Sequence, residues 1–234
     1  MKDKNIIIAI DGHSSTGKST VAKQLAKALG YIYVDTGAMY RAVSLYAMRK
    51  NFINEFTFDK EALEQDLPAI NITFEMNPEK GLAEVLLNGE NVEHIIRTLA
   101  VSKHVSKIAA ISKVRKKLVE QQQKMGVNKG IVMDGRDIGT VVFPDAELKL
   151  FMTATAKDRA ERRFIELKER GEDVTYEAVL KNVVNRDHID STRKDSPLRK
   201  AEDAIKIDNS NLTLQEQFDH ILQIAKTAIS ENVV

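Results

Sequence analysis

Apolar side chains fall along this chain in two rhythms that take turns from one end to the other. Asn5 to Ile10 contains the run I-I-I-A-I, β-branched and closed by Asp11-Gly12, which predicts a strand buried on both faces. In S-T-V-A-K-Q-L-A-K-A-L, Val21, Ala22, Leu25, Ala26 and Leu29 recur at helical spacing, with Gly30 placed to end the helix. A second strand is expected at Tyr31 to Val34, ending in Asp35-Thr36-Gly37, and a helix follows through Met39, Val43 and Ala47.

The rhythm then changes. Ile70, Ile72, Phe74 and Met76 alternate with polar residues, N-P-E-K-G makes a turn, and Leu82 to Leu87 runs into Asn88-Gly89, the signal of a tight hairpin. These residues predict a small antiparallel insertion, bounded here at 55–97. Helical pattern resumes from Leu99 to Met125, with a break and new cap at Ser112 and an end at Gly126. Strands are expected again at Ile131 to Asp134 and Leu148 to Thr153. Thr155-x-x-Asp158 has the form of a capping box for a highly charged helix that ends at Gly171, and residues 155–172 are short enough to act as a lid. A helix over Tyr176 to Thr192, a strand at Ala204 to Ile207 and an amphipathic helix from Leu214 to Ile229 complete the pattern. About five buried strands alternating with helices predict an α/β fold whose mostly parallel sheet is covered on both faces, in one domain over 1–234.

Composition narrows the chemistry. The 234 residues include 35 Lys+Arg and 34 Asp+Glu, a net charge of +1, so charge-driven function must come from local clusters rather than from a basic or acidic surface. There are no cysteines, which excludes disulfides, thiolate zinc sites and thiol nucleophiles. The five histidines never fall at metal-ligand spacing. With no apolar stretch of membrane-spanning length and no signal-peptide pattern, the expectation is a cytoplasmic protein with no membrane partner, and a monomer.

The sharpest signal is Gly12-His13-Ser14-Ser15-Thr16-Gly17-Lys18-Ser19, which fits G-x-x-x-x-G-K-[ST] between a predicted strand and a predicted helix. Glycines let such a loop fold back so that successive N–H groups, together with the positive end of the helix that opens at Ser19-Thr20, face a phosphate chain. Lys18 would bridge the β- and γ-phosphates, and the Ser19 hydroxyl would ligate Mg²⁺. His13 has no motif role and is read as a variable loop position. The plain alternative is a glycine turn with Lys18 merely solvated, but the four fixed positions coincide by chance in only roughly 1% of chains this length.

A phosphate loop does not say what becomes of the nucleotide. A guanine-specific switch needs N-K-x-D, and Asn128-Lys129 is followed by Gly130-Ile131. A kinase must neutralise two phosphorylated ligands while excluding water, and the arginines favour that class. Arg186, Asp190 and Arg193 are spaced i, i+4, i+7, on one helical face. Arg159, Arg162 and Arg163 share one side of the charged helix, Arg41 follows Gly37, and Arg136 sits inside Asp134-Gly135-Arg136-Asp137. Guanidinium forks suit bidentate phosphate contact. A salt-bridged surface helix would also explain Arg159, Arg162 and Arg163, whose neighbours are Asp158 and Glu161.

Several stretches together resemble the bacterial cytidylate kinase family: D-T-G-A-M-Y-R (Asp35 to Arg41), I-R-T (Ile96 to Thr98), V-R (Val114-Arg115), D-G-R-D-I-G-T-V-V-F-P-D-A (Asp134 to Ala146) and R-D-x-x-D-S-x-R (Arg186 to Arg193). The resemblance spans nearly the whole chain. It implies transfer of the γ-phosphoryl of ATP to CMP or dCMP, giving ADP and CDP or dCDP, with Mg²⁺. It also makes the insertion a monophosphate-binding element. By resemblance, Arg41, Arg136 and Arg193 hold the acceptor phosphate, near Thr36. Ser106, Arg115 and Asp137 read the cytosine edge, although a shift of one turn would put Ser102 or Ser112 in place of Ser106. Tyr40, Arg186 and Asp190 resemble ribose contacts, and Arg159, with Arg162 and Arg163, resembles the lid arginines that close on ATP.

Elementary chemistry agrees with these roles. Cytosine offers an exocyclic amine where uracil offers a carbonyl, so a carboxylate such as Asp137 accepts from one and repels the other. The attacking phosphate oxygen is already ionised, so catalysis falls to Lys18, Mg²⁺, Arg136, Arg159 and Arg193, with no nucleophilic residue and no general base. Two positions depart from many relatives: Ser19 stands where Gly is common after the loop lysine, and Thr36 where Ser is common. Other acceptors (UMP, AMP or shikimate) and a nucleotide-hydrolysing switch are the competing readings. Lys113, Arg115, Lys116 and Lys117 form a basic cluster without interleaved aromatics, read as a solvated face rather than a nucleic-acid site.

Overall fold

The computed structural model describes residues 5–79, 82–210 and 212–232. Its centre is a five-stranded sheet of β1 (Ile7–Gly12), β2 (Ile32–Asp35), β6 (Ile131–Gly135), β7 (Leu148–Thr153) and β8 (Ile205–Asp208), ordered β2-β6-β1-β7-β8. Every pairing within it is parallel. Parallel neighbours need crossovers, and the helices supply them: α1 (Lys18–Leu29) follows β1, α2 (Thr36–Arg49) follows β2, and α6 (Ala156–Glu169) with α7 (Tyr176–Thr192) joins β7 to β8. Two apolar layers result. Ile8, Ile10, Val21, Leu25, Val132, Leu150 and Ile221 pack on one side, and Ala9, Val34, Ile131, Met133 and Val142 on the other. The closing helix α8 (Leu214–Glu231) lies against α1 through Ile221 and Ala225.

β1 runs two residues beyond the apolar run, because Asp11 pairs with Gly135 and Gly12 with Met152, neighbours that a single strand's sequence does not display. The α2 helix starts at Thr36, earlier than the Asp35-Thr36-Gly37 stretch suggests. The Asp35 carboxylate accepts the Ala38 N–H at 2.9 Å and caps the helix. The Thr155 hydroxyl caps α6 by accepting the Asp158 N–H at 3.2 Å, but the Asp158 carboxylate returns to that hydroxyl and not to the backbone, so only half of the expected box forms. The complete box stands at Thr213 and Glu216, at the start of α8.

The insertion is a three-stranded antiparallel sheet, β3 (Ile72–Asn77), β4 (Leu82–Leu87) and β5 (Glu90–Asn91). Asn88 and Gly89, at φ +51° and +85°, make the tight turn between β4 and β5. Part of the N-P-E-K-G turn, Lys80 and Gly81, lies outside the described residues. Ile72, Val85 and Leu87 are buried in one cluster with residues of α2, α4 (Leu99–Ala109) and α5 (Ser112–Met125). The last two helices break at Ala110-Ile111, close to the expected place, but Ser112 is not the cap: it is the first residue of α5, and Ile111 holds the cap position with no side-chain bond to offer. A short helix α3 (Lys60–Asp66) precedes this sheet. Among the described residues no helix is long and apolar enough to cross a membrane.

Candidate active site

The loop between β1 and α1 is shaped by three backbone conformations. Gly12 has φ +149°, and a Cβ there would lie 2.2 Å from the Met152 carbonyl oxygen of β7, so only glycine fits. Ser15 and Gly17 are also left-handed, at φ +61° and +88°. These turns bring the loop around the N-terminus of α1, where amides and the helix dipole favour an anion. Lys18 is buried, and its ammonium folds back on the loop, donating to the His13 carbonyl at 2.6 Å and the Thr16 hydroxyl at 3.2 Å. Burial, then Arg136, pulls its pKa down to about 7 against the opposing pull of Asp134 and Asp11.

Beside the loop, at the end of β6, the Asp134 carboxylate accepts from the Ser19 hydroxyl at 3.0 Å and the Tyr33 hydroxyl at 2.8 Å. Burial and the nearby Asp35 push Asp134 up to about 6. Asp11, at the start of the loop, accepts the N–H groups of Ile138 and Gly139, each at 2.8 Å, so the segment carrying Arg136 and Asp137 is tied to the phosphate loop. Burial pushes Asp11 up to about 7 in spite of these two bonds.

The loop opens onto a cleft of about 1060 Å³. Ser14, Ser15, Gly17, Lys18, Ser19 and Thr20 form one wall, and Arg41, Arg97, Arg136 and Arg186 line the cleft elsewhere. Arg162, Arg163 and Arg170 approach from α6 and its end, while Asn209, Leu212, Leu214 and Gln217 close the remaining edge. Crowded, desolvated guanidiniums destabilise one another: Arg41 is pushed well below its usual range by burial and by Arg186, Arg163 and Arg97, and Arg186 is lowered to about 10 by burial and Arg136. Such a cluster gains most from a polyanionic ligand.

A second cluster adjoins the cleft through Arg136, whose Nε donates to the Asp190 carboxylate at 2.9 Å. Asp190 is held low, since Arg136, Arg186 and Arg193 together outweigh the upward push of burial. Arg115 and Asp137 form a buried ion pair, with Arg193 Nη2 3.7 Å from the same carboxylate and the Arg115 guanidinium 5.5 Å from the centre of the Tyr40 ring. The Ser106 hydroxyl, the Tyr40 hydroxyl and Arg115 Nε are buried with no hydrogen-bond partner among the described residues. Buried polar atoms left unpaired are costly, and a ligand that satisfied them would recover that cost.

A family model described as cytidylate kinase matches residues 8–227. The chain belongs to the cytidylate kinase family. It is 63% identical over 226 residues to a cytidylate kinase from Flavobacterium johnsoniae, covering 97% of this chain and 98% of that one. It is 56% identical over 227 residues to a cytidylate kinase from Phocaeicola vulgatus, covering 97% and 99%.

Within this cytidylate kinase framework the arginines divide differently from their spacing. Arg186 and Asp190 share the buried face of α7, but Arg193 caps the end of that helix in extended conformation and binds the Ser196 carbonyl. Arg159, Arg162 and Arg163 separate. Arg162 reaches Asn209, Arg163 pairs with Glu166 at 2.7 Å and donates to the Arg97 carbonyl, and Arg159 turns to Asp187. Thr36 is buried, donating to the Asp134 carbonyl at 2.8 Å. Gly12, His13, Thr16, Thr36, Tyr40, Ser106, Arg115, Asp137, Arg159, Asp190 and Arg193 do not line the cleft itself. Sequence reasoning assigned no role to Asp134, Tyr33, Arg97 or Asp187. For Asp134 a signal was present, a carboxylate ending a buried strand; pairing of that strand with β1 is what makes it point at Ser19.

Proposed function

We propose that this chain transfers the γ-phosphoryl group of ATP to the phosphate of CMP and of dCMP, releasing ADP and CDP or dCDP. What carries the reading is the buried Arg115–Asp137 pair beside Tyr40 and Arg193, connected through Arg136 and Asp190 to a cleft that faces the phosphate loop; the buried, unpaired Ser106 hydroxyl of α4 adds a polar group in need of a partner. ATP is assigned to the Gly12–Thr20 loop, with Lys18 on the β- and γ-phosphates and Arg162 and Arg163 approaching from α6. The acceptor phosphate is assigned to Arg41, Arg136 and Arg193, its ribose to Tyr40, Arg186 and Asp190, and its base to Asp137, Arg115 and Ser106.

Among the described residues there is no cluster of three or more His, Asp or Glu that would hold a metal unaided. The Ser19 hydroxyl and Asp134 carboxylate, 3.0 Å apart beside the loop, form the hard-oxygen donor set that suits Mg²⁺ held jointly with nucleotide phosphates. Bound there, the ion would neutralise charge on the β- and γ-phosphates.

An acceptor phosphate oxygen attacks the γ-phosphorus as the bond to the bridging β,γ-oxygen breaks, and ADP leaves opposite the incoming oxygen. The residues do not exchange protons with the reacting atoms. Lys18 and the arginines hold two polyanions end to end, spread the charge that moves toward ADP, and keep water from the phosphorus. The test is incubation with Mg²⁺-ATP and CMP, dCMP, UMP or AMP in separate reactions. CDP and dCDP are expected as the favoured products, and a clear preference for UMP or AMP would overturn the assignment.

A further inference from the structure

The phosphate loop is gripped at one residue from two directions. Arg186 Nη1 donates to the Ser14 hydroxyl at 2.9 Å, and Arg159 Nη1 donates to the Ser14 carbonyl at 3.2 Å. Arg159 is also committed elsewhere: Nε donates to the Ala154 carbonyl at 3.0 Å, and Nη1 and Nη2 meet the two oxygens of Asp187 at 2.9 and 2.5 Å. The guanidinium is therefore spread between β7's end, the loop and α7, with all three of its nitrogens engaged. Its side chain is 4% exposed. His13 Nδ1 lies 3.2 Å from the same Asp187 carboxylate, within ion-pairing reach although outside hydrogen-bonding geometry.

We infer that Asp187 is a positioning residue for the donor site: it fixes Arg159 against the Ser14 carbonyl, so that the outer arm of the phosphate loop is already in its nucleotide-binding shape before ATP arrives. The inference rests on the loop being the ATP site. Three features argue for it. Ser15, the next residue, is a non-glycine in left-handed conformation, which a loop keeps only where its surroundings enforce it. A bidentate Arg–carboxylate pair fixes both distance and plane, as an orienting device requires, and a single lysine contact would not. Arg186 and Asp187 are adjacent in α7, so one helical turn supplies both the grip on the Ser14 hydroxyl and the carboxylate that holds Arg159, from α6, on the Ser14 carbonyl. Asp187 stays ionised across the neutral range: burial pushes it up, but His13 and Arg159 hold it at about 2.

Arg159 then acts on ATP through the loop, and its loss and that of Asp187 should be one loss. The experiment measures ATP affinity by calorimetry without acceptor, and KM for ATP and CMP by coupled assay, on wild type, Asp187→Asn, Asp187→Glu, Arg159→Ala and the Arg159→Ala/Asp187→Asn double variant. Asp187→Asn should weaken ATP binding and raise KM for ATP by about tenfold, the scale of losing a charge-assisted bond, with KM for CMP within about twofold of wild type. Asp187→Glu should recover part of the loss, and the double variant should be no worse than Arg159→Ala alone. Additive losses in the double variant, equal rises in both KM values, or unchanged ATP affinity would each overturn the inference. If Asp187→Asn does not fold, Asp187→Glu and Arg159→Ala decide it by the same split between ATP and CMP. Wild type that binds ATP but ignores CMP would count against the proposed reaction and leave this inference standing.

Discussion

At the scale of single residues, Lys18 and Asp137 carry the most weight. Lys18 is a buried cation lowered to about 7, its ammonium donating to a carbonyl and a hydroxyl while Asp134 and Asp11 only partly offset burial and Arg136. Phosphate oxygens would raise it again, so above pH 7 the free protein is partly deprotonated there and the ATP complex is protonated. Binding at pH 8 should therefore take up protons. Calorimetry in buffers of different ionisation enthalpy reads this directly, and an observed enthalpy independent of buffer would contradict it. Lys18→Ala should cut turnover by about a hundredfold or more while the chain still folds, as judged by a cooperative thermal melt. Asp137→Ala should reduce the preference for CMP over UMP by about tenfold or more with little change in KM for ATP, measured as a ratio of kcat/KM values. An unchanged ratio would move base reading to other residues.

At the scale of elements, the strand-loop-helix unit at the start of the chain depends on the close approach of Gly12 to β7. Gly12→Ala would force both a strained φ and a 2.2 Å contact with the Met152 carbonyl, and should destabilise the fold by about 2 kcal/mol or more, seen as a lowered Tm. An unchanged Tm would mean the β1–β7 contact is looser than described. The elements that the sequence displays are those whose cause is local. The buried strand at Ile131, the helix break before Ser112 and the turn at Asn88-Gly89 were legible because β-branched runs, interrupted helical patterns and left-handed turn residues act over a few positions, although the cap expected at Ser112 does not form. What neighbours decide was not legible: the extension of β1 through Gly12, the two-residue β5, the helix α3, and the single π-helical turn over Ile138–Val142 that Asp11 anchors from 127 residues away in sequence. The same division holds in the site. The phosphate loop and the Arg186/Asp190 face follow from spacing, whereas Asp134 under Ser19 and Asp187 on Arg159 arise only when separate crossovers pack.

At the scale of the whole molecule, the sheet places both binding regions at the carboxyl ends of its strands, as open parallel sheets do. The phosphate loop leaves β1, while Asp35 ends β2 and Asp134 is next to last in β6, the strand between those two. The segment that follows the antiparallel sheet, with Glu93 and Arg97, and α6, with Arg162 and Arg163, both line the cleft and already touch. Arg163 donates to the Arg97 carbonyl, and the Glu172 carboxylate accepts the Leu99 N–H at 3.1 Å. Ligands that neutralise the arginines between them should draw the two sides together. Solution scattering should show a smaller radius of gyration with both nucleotides than with neither, and identical profiles would count against closure. The central claim is that one anionic nucleotide hands its terminal phosphoryl group directly to another. A single turnover with γ-labelled ATP and CMP tests it most directly. The account predicts that the label appears in CDP at the rate ATP is lost. Label recovered chiefly as inorganic phosphate, or bound covalently to the chain, would contradict it.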